Sequence, residues 1–185
     1  VTARSRRQEA HFQPVPPEMP RPFAVARIGD GARVELEATP AERAALARRM
    51  GVPEIGALTC LFELRRADGD TVQAHGTLRA QVTQICVVTL DPFEAEVAEA
   101  FSVRFVPAGT ESDEIDPEAD DEIGYDGSEL DLGEAASEQL ALALDPFPRK
   151  PGAGLSEAAS KQRHGAFAAL SRLLPAQRRR DATED

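Results

Sequence analysis

The residue with the most chemical potential is Cys86, in the stretch TQICVVTLDPF (83–93). The only other cysteine is Cys60. A thiolate can act as nucleophile or metal ligand, but it needs a base, a cation or a helix N-terminus to hold its charge. A structural zinc site needs four ligands, commonly from paired C-x2-C turns. Thr89, a poor zinc ligand, stands three residues after Cys86, and the three histidines, His11, His75 and His164, are scattered. His75 is the only base expected within the folded core, and nothing in the sequence sets it beside Cys86. The plainer reading is a small apolar side chain in a buried strand. No catalytic residue, metal or cofactor is expected, and a cysteine-dependent enzyme is the remote alternative.

Carboxylates are the second candidate chemistry. Residues 111–126, ESDEIDPEADDEIGYD, carry nine of them and no Lys or Arg. A calcium loop would need D-x-D-x-D-G and a terminal Glu at fixed spacing, which is not the pattern here. The stretch reads as a solvated, mobile acidic loop over 108–127, because such a composition cannot offset ordering entropy by burial. If it has a role, docking a basic protein fits its charge, whereas nucleic-acid phosphate would be repelled. The net charge of −11 is concentrated there, and the rest of the chain is near neutral. The ends are basic, with Arg4, Arg6 and Arg7 at one and Arg178, Arg179 and Arg180 at the other. Arg149 and Lys150 form a further basic pair that could meet phosphate. No aromatic RNA-recognition pair, GxxG clamp or phosphate-binding glycine loop is present.

The elements that must position these residues follow from periodicity. Apolar residues are 42% of the chain and aromatics only 5%, so a single, mainly aliphatic core is expected. Residues 23–28 and 33–37 read as short strands. Thr39-Pro40-Ala41-Glu42 combines a capping box with a proline at the first helical position, and Gly51 is a natural end for that helix. Ala45, Leu46 and Met50 are its expected buried stripe. A strand over 57–67 sets Leu58, Cys60, Phe62 and Leu64 on one face. Asp68-Gly69 signals a hairpin. The next strand runs from Thr71 through Val88, with Cys86 inside it and both faces of its last part covered. A strand over 96–107 completes an antiparallel meander. A helix over 132–144 buries Leu132, Ala136, Leu140, Ala143 and Leu144.

The expected fold is therefore α+β, an antiparallel sheet of about five or six strands, curved into a half-barrel, with two main helices. The expected organisation is a flexible arm over 1–20, one domain over 21–152, and a tail over 153–185 with a short amphipathic segment at 167–174. No secretory or membrane-spanning stretch is evident, so the cytoplasm is the expected compartment.

The ordered set of these features resembles the YceD family, the large ribosomal RNA subunit accumulation proteins, and particularly its alphaproteobacterial-type members. The Thr39-Pro40-Ala41-Glu42 helix start carries the resemblance, as do GTLRAQVTQICVVTLDPF (76–93), ELDL (129–132) leading into EQLALAL (138–144), PFPRKPG (146–152) and FAAL (167–170). Many members have C-x2-C where this chain has Cys86 and Thr89, so half of a cysteine knuckle is missing here. The resemblance implies a non-enzymatic role in accumulation or processing of large-subunit rRNA. The implied partners are that rRNA, a pre-large ribosomal subunit, or a basic ribosomal protein, with bL32 the one named by association. Gln84, Cys86, Asp91, Phe93, Arg149 and Lys150 are the expected partner-binding residues. The alternative is an acidic interaction module or chaperone for a basic partner outside the ribosome.

Overall fold

The computed structural model of the protein describes residues 16–111 and 120–154. In chain order the elements are β1 (Pro22–Ala24), a 3-10 turn (Val25–Arg27), β2 (Ala32–Glu37), α1 (Pro40–Met50), β3 (Glu54–Arg66), β4 (Val72–Ile85), β5 (Pro92–Pro107), β6 (Asp121–Tyr125), β7 (Glu129–Asp131) and α2 (Leu132–Ala143). Strands β2 to β6 form one five-stranded sheet in sequence order, and β1 pairs with β7 in a separate two-stranded ribbon. The α+β class and the two helices agree with the sequence. One pairing differs: β5 and β6 run parallel, with Val103 opposite Asp121 and Pro107 opposite Tyr125.

Side-chain alternation explains the sheet. The inner row of β3 (Leu58, Cys60, Phe62, Leu64) and of β4 (Val72, Ala74, Leu78, Ala80, Val82) is buried, and Val103 and Phe105 continue it on β5. The outer row carries Arg33, Glu35, His75, Thr77, Arg79, Glu94 and Glu96. Such a two-faced sheet must be covered on its apolar side. Helix α1 packs on β3, and α2 packs across β4, β5 and β1.

Both helix starts are set locally. Thr39 accepts from the Glu42 backbone N–H at 3.4 Å, and the Glu42 carboxylate accepts from the Thr39 N–H at 2.7 Å. Gly51 closes α1 in the left-handed region, φ 69°. Arg21 adds a fork of two hydrogen bonds to Glu42, at 2.7 and 2.8 Å. That guanidinium, with the Thr39 contacts, holds the Glu42 carboxyl down at about 2. The Asp131 carboxylate caps α2 by accepting from Gly133 and Glu134, and it also accepts from the Arg21 backbone N–H at 2.9 Å. A single carboxylate thus joins β7, α2 and the entry to β1.

Several expectations shift by a residue or more. Residues 23–28 split into β1 and the 3-10 turn. The buried residues of α1 are Leu46 and Ala47, with Met50 packed against the core from its edge. On α2 they include Leu132, Ala135, Ala136 and Leu140. Strand β5 begins at Pro92 rather than near 96, and β6 forms inside the stretch expected to be all loop. Residues 112–119 of that stretch lie outside the described residues. So do residues 1–15 of the expected arm and 155–185, which hold the amphipathic segment and the C-terminal arginines. At the inner end of the arm, Met19 is 1% exposed and Glu18 pairs with Arg49 at 2.9 Å.

Gly76 shows how closely the strands approach. It lies opposite Phe101 on β5 and Phe62 on β3, and the two rings meet edge to face with centroids 5.6 Å apart. A Cβ at position 76 would run into the Phe101 ring. Gly76→Ala should lower stability by ~1–3 kcal/mol through overpacking. Trimming the ring in Gly76→Ala/Phe101→Leu should recover part of that loss. Chemical denaturation of the three variants checks it, and additive losses would show that ring and glycine are not in conflict.

Candidate partner-binding site

The turn that joins β4 to β5, residues 86–91, brings together most of the residues singled out in the sequence. Strand β4 ends at Ile85, so Cys86 is the first residue of the turn and not a strand residue. The chain leaves the sheet because its hydrogen bonds turn inward. The Cys86 N–H donates to the Asp91 carbonyl at 2.9 Å, and the Leu90 N–H donates to the Cys86 carbonyl at 2.9 Å. Leu90 closes the turn with φ 62°, the only non-glycine residue described in the left-handed region. The loop after α2 is tied to this turn, because the Val87 N–H donates to the Pro148 carbonyl at 2.9 Å. Lys150 reaches the Asp91 carboxylate at 4.0 Å.

Cys86 is fully covered but stands outside the main core cluster. Its sulfur accepts from the Thr89 N–H at 3.5 Å. The Thr89 side chain, opposed by burial and helped by the backbone N–H groups of Lys150, Thr89 and Val88, brings the thiol down from 9.0 to about 7. Cys60, surrounded by apolar side chains in β3, is pushed up to about 12 by burial. His75 lies far along β4, where its Nδ1 contacts the Ser102 hydroxyl at 2.7 Å, so it does not meet Cys86. Thr89, three residues after Cys86, engages its sulfur. Among the described residues no group of three or more His, Cys, Asp or Glu is placed to hold a metal ion.

Gln84, one of the expected partner-binding residues, is buried at 7% exposure, opposite Phe93. Its Nε2 donates to the Asp145 carbonyl at 3.3 Å, which clamps the end of α2 against β4. Phe93 is half-buried, and Asp91, Arg149 and Lys150 are at the surface or half-exposed. The covered faces expected for residues 85–88 are not observed, since Ile85 and Val87 are both exposed.

A signal that periodicity missed is where the large apolar side chains escape burial. The exposed ones among the described residues are Ile85, Val87, Leu90, Leu142 and Phe147. All come from the end of β4 and the turn after it, or from the end of α2 and the loop after it, two segments held together by the Val87–Pro148 and Gln84–Asp145 bonds. Leu90 is 75% exposed and Phe147 70%. Beside them an open cleft of about 490 Å³ runs between α1, the end of β4 and the end of α2, with Met50, Val52, Ile85, Leu144 and Pro148 among its lining. Clustered apolar exposure of this kind marks an interaction surface more often than scattered single residues do.

Fold and site together define a small α+β domain that presents an apolar surface around a hydrogen-bonded turn. A family model described as large ribosomal RNA subunit accumulation protein YceD matches residues 74–173, more than half of the chain, and the protein belongs to that family. The matched span holds the 83–93 stretch, α2 and the segment after it, while α1 precedes it. No curated protein and no solved structure matches the chain. Among the described residues no helix is long and apolar enough to cross a membrane.

Two outcomes follow for the turn. Ultraviolet thiolate absorbance should titrate near pH 7 in the native protein, vanish in Cys86→Ala and persist in Cys60→Ala. Because the folded value lies below the unfolded one, the Cys86 contribution is present in full above the unfolded value of 9.0 and is lost as pH falls through about 7. Stability relative to Cys86→Ala should therefore rise across that window, and a flat difference would show that the donors around the sulfur do not hold its charge. Separately, Leu90→Gly should raise stability by ~0.5–1 kcal/mol, since the left-handed backbone is strained for leucine and the side chain packs on little. A loss of stability on denaturation would mean that Leu90 is held by packing.

Proposed function

We propose that this protein is a non-enzymatic, cytoplasmic factor of large-subunit ribosome biogenesis. It supports accumulation or processing of large-subunit rRNA by binding a pre-large subunit, through its rRNA or through a basic ribosomal protein before incorporation. Membership of the YceD family, with the name that family bears, is the ground for the ribosomal role. The observation that carries the binding reading is the gathering of Val87, Leu90 and Phe147 around one turn, with Asp91, Phe93, Arg149 and Lys150 at its margin. An exposed leucine in a strained backbone position is costly to keep, and a partner contact gives a reason for keeping it. In this reading Gln84 and Cys86 act from beneath, fixing the two segments that carry the surface. Lys150 lies beside Asp91, and the acidic stretch at 111–126 disfavours phosphate, so a basic protein fits the charge distribution better than bare RNA.

Sedimentation of tagged protein after crosslinking tests this. Comigration with free large-subunit precursors is expected, and confinement to the light fractions would sink the proposal. Leu90→Ser/Phe147→Ser, both at exposed positions, should retain the fold by circular dichroism and shift the protein toward the light fractions. Unchanged comigration of the double variant would move the contact elsewhere on the domain.

A further inference from the structure

Strand β5 is long, and its outer edge is only partly used. Strand β6 pairs with Val103 to Pro107. Among the described residues no strand pairs with that edge over 92–102, although β4 pairs with the opposite edge along the whole length in unbroken register. About 35 Å of strand thus has one edge that no described strand pairs with. Proteins usually blunt such an edge with lysine, proline or a bulge. Here proline occurs only at the first position, no bulge interrupts the β4–β5 register, and no lysine is present. The other sheet edge, β2, is much shorter and carries both signs of charge, in Arg33, Glu35 and Glu37.

The charges of the open stretch have one sign. Glu94 and Glu96 are exposed on the outer face, opposite Thr83 and Gln81, and Glu99 is exposed on the inner face, opposite Leu78. The facing part of β4 contributes Arg79 and His75, and Arg104 beyond the open stretch is paired to Glu122 at 3.0 Å. Pairing of two copies along this edge would bring these carboxylates together, which opposes self-association. A strand bearing lysine or arginine would meet them favourably and would cover the exposed parts of Phe93 and Val97 on the inner face.

We propose that the open edge of β5, over 92–102, is a strand-addition site for an extended, lysine- or arginine-bearing segment of a protein partner. Backbone pairing would supply affinity, and the carboxylates of Glu94 and Glu96 on the outer face, with Glu99 on the inner, would select the charge. The proposal rests on the functional reading above only for the identity of that partner as a basic ribosomal protein. The edge lies next to the 86–91 turn, so one extended segment could leave β5 and meet Leu90 and Phe147.

The test uses the full chain and a peptide of about ten residues alternating arginine with valine, long enough to span most of the edge. Hydrogen exchange should slow at amides within 92–102 when the peptide is added, and a glutamate–valine peptide should have no effect. Methylating the peptide backbone nitrogens on one alternate set should abolish binding, while methylating the other set should leave it, because an added strand uses one side only. Glu94→Gln/Glu96→Gln/Glu99→Gln should weaken the arginine peptide by about tenfold at low salt, with the difference shrinking as salt is raised. The proposal is overturned if the peptide does not bind, if both methylated sets bind equally, or if protection appears elsewhere. It is equally overturned if a large-subunit rRNA transcript alone protects 92–102. Protection that grows with protein concentration would assign the edge to a second copy, and protection already complete in the free monomer would assign it to another segment of the chain. Both results overturn it. Comigration of wild type with precursors alongside a failed peptide test would leave the functional reading standing without this site, and the reverse result would leave the site without a ribosomal role.

Discussion

Strand β4 is hydrogen-bonded along nearly its whole length on both sides, to β3 and to β5, and the rest of the domain is arranged around that ladder. A strand paired on two sides has no freedom to slip, because a shift by one residue would exchange its apolar and polar faces. Its inner row of Val72, Ala74, Leu78, Ala80 and Val82 therefore fixes which side of the sheet the helices must cover. The small residues in that row, above all Gly76, leave room for Phe101 and Phe62 to meet across it.

Among the described residues two short helices cover the sheet, and they do not cover it completely. The cover is densest where Asp131, Arg21 and Glu42 tie α2, β1 and α1 together. It thins toward the end of β4 and along the free part of β5. These are the places where Ile85, Val87, Leu90 and Phe147 are exposed and where, among the described residues, no strand pairs with β5 over 92–102. Among the described residues the candidate surfaces thus lie where the cover of the sheet is thinnest.

The 86–91 turn has one cysteine, Cys86, where a C-x2-C knuckle would have two. The Thr89 N–H points at the Cys86 sulfur. Here the backbone hydrogen bonds and the Val87–Pro148 contact hold the turn closed. The arrangement holds a hydrogen-bonded thiol and an exposed leucine, both positioned by backbone geometry.

The sequence by itself determined the elements whose signals are local. The capping box at Thr39 and Glu42, the Gly51 stop, the Asp68-Gly69 hairpin and the alternating face of β3 all act within a few residues, and each is present as expected. It also singled out the 83–93 stretch and the Arg149-Lys150 segment, though without showing that they touch. Tertiary structure alone decided that β4 ends at Ile85, that Gln84 is buried against Asp145, and that β6 lies parallel to β5. The physical reason is the range of the interactions. An apolar run such as ICVV satisfies strand periodicity equally well whether or not anything covers it, and a short strand such as β6 is specified by the neighbour it pairs with more than by its own residues.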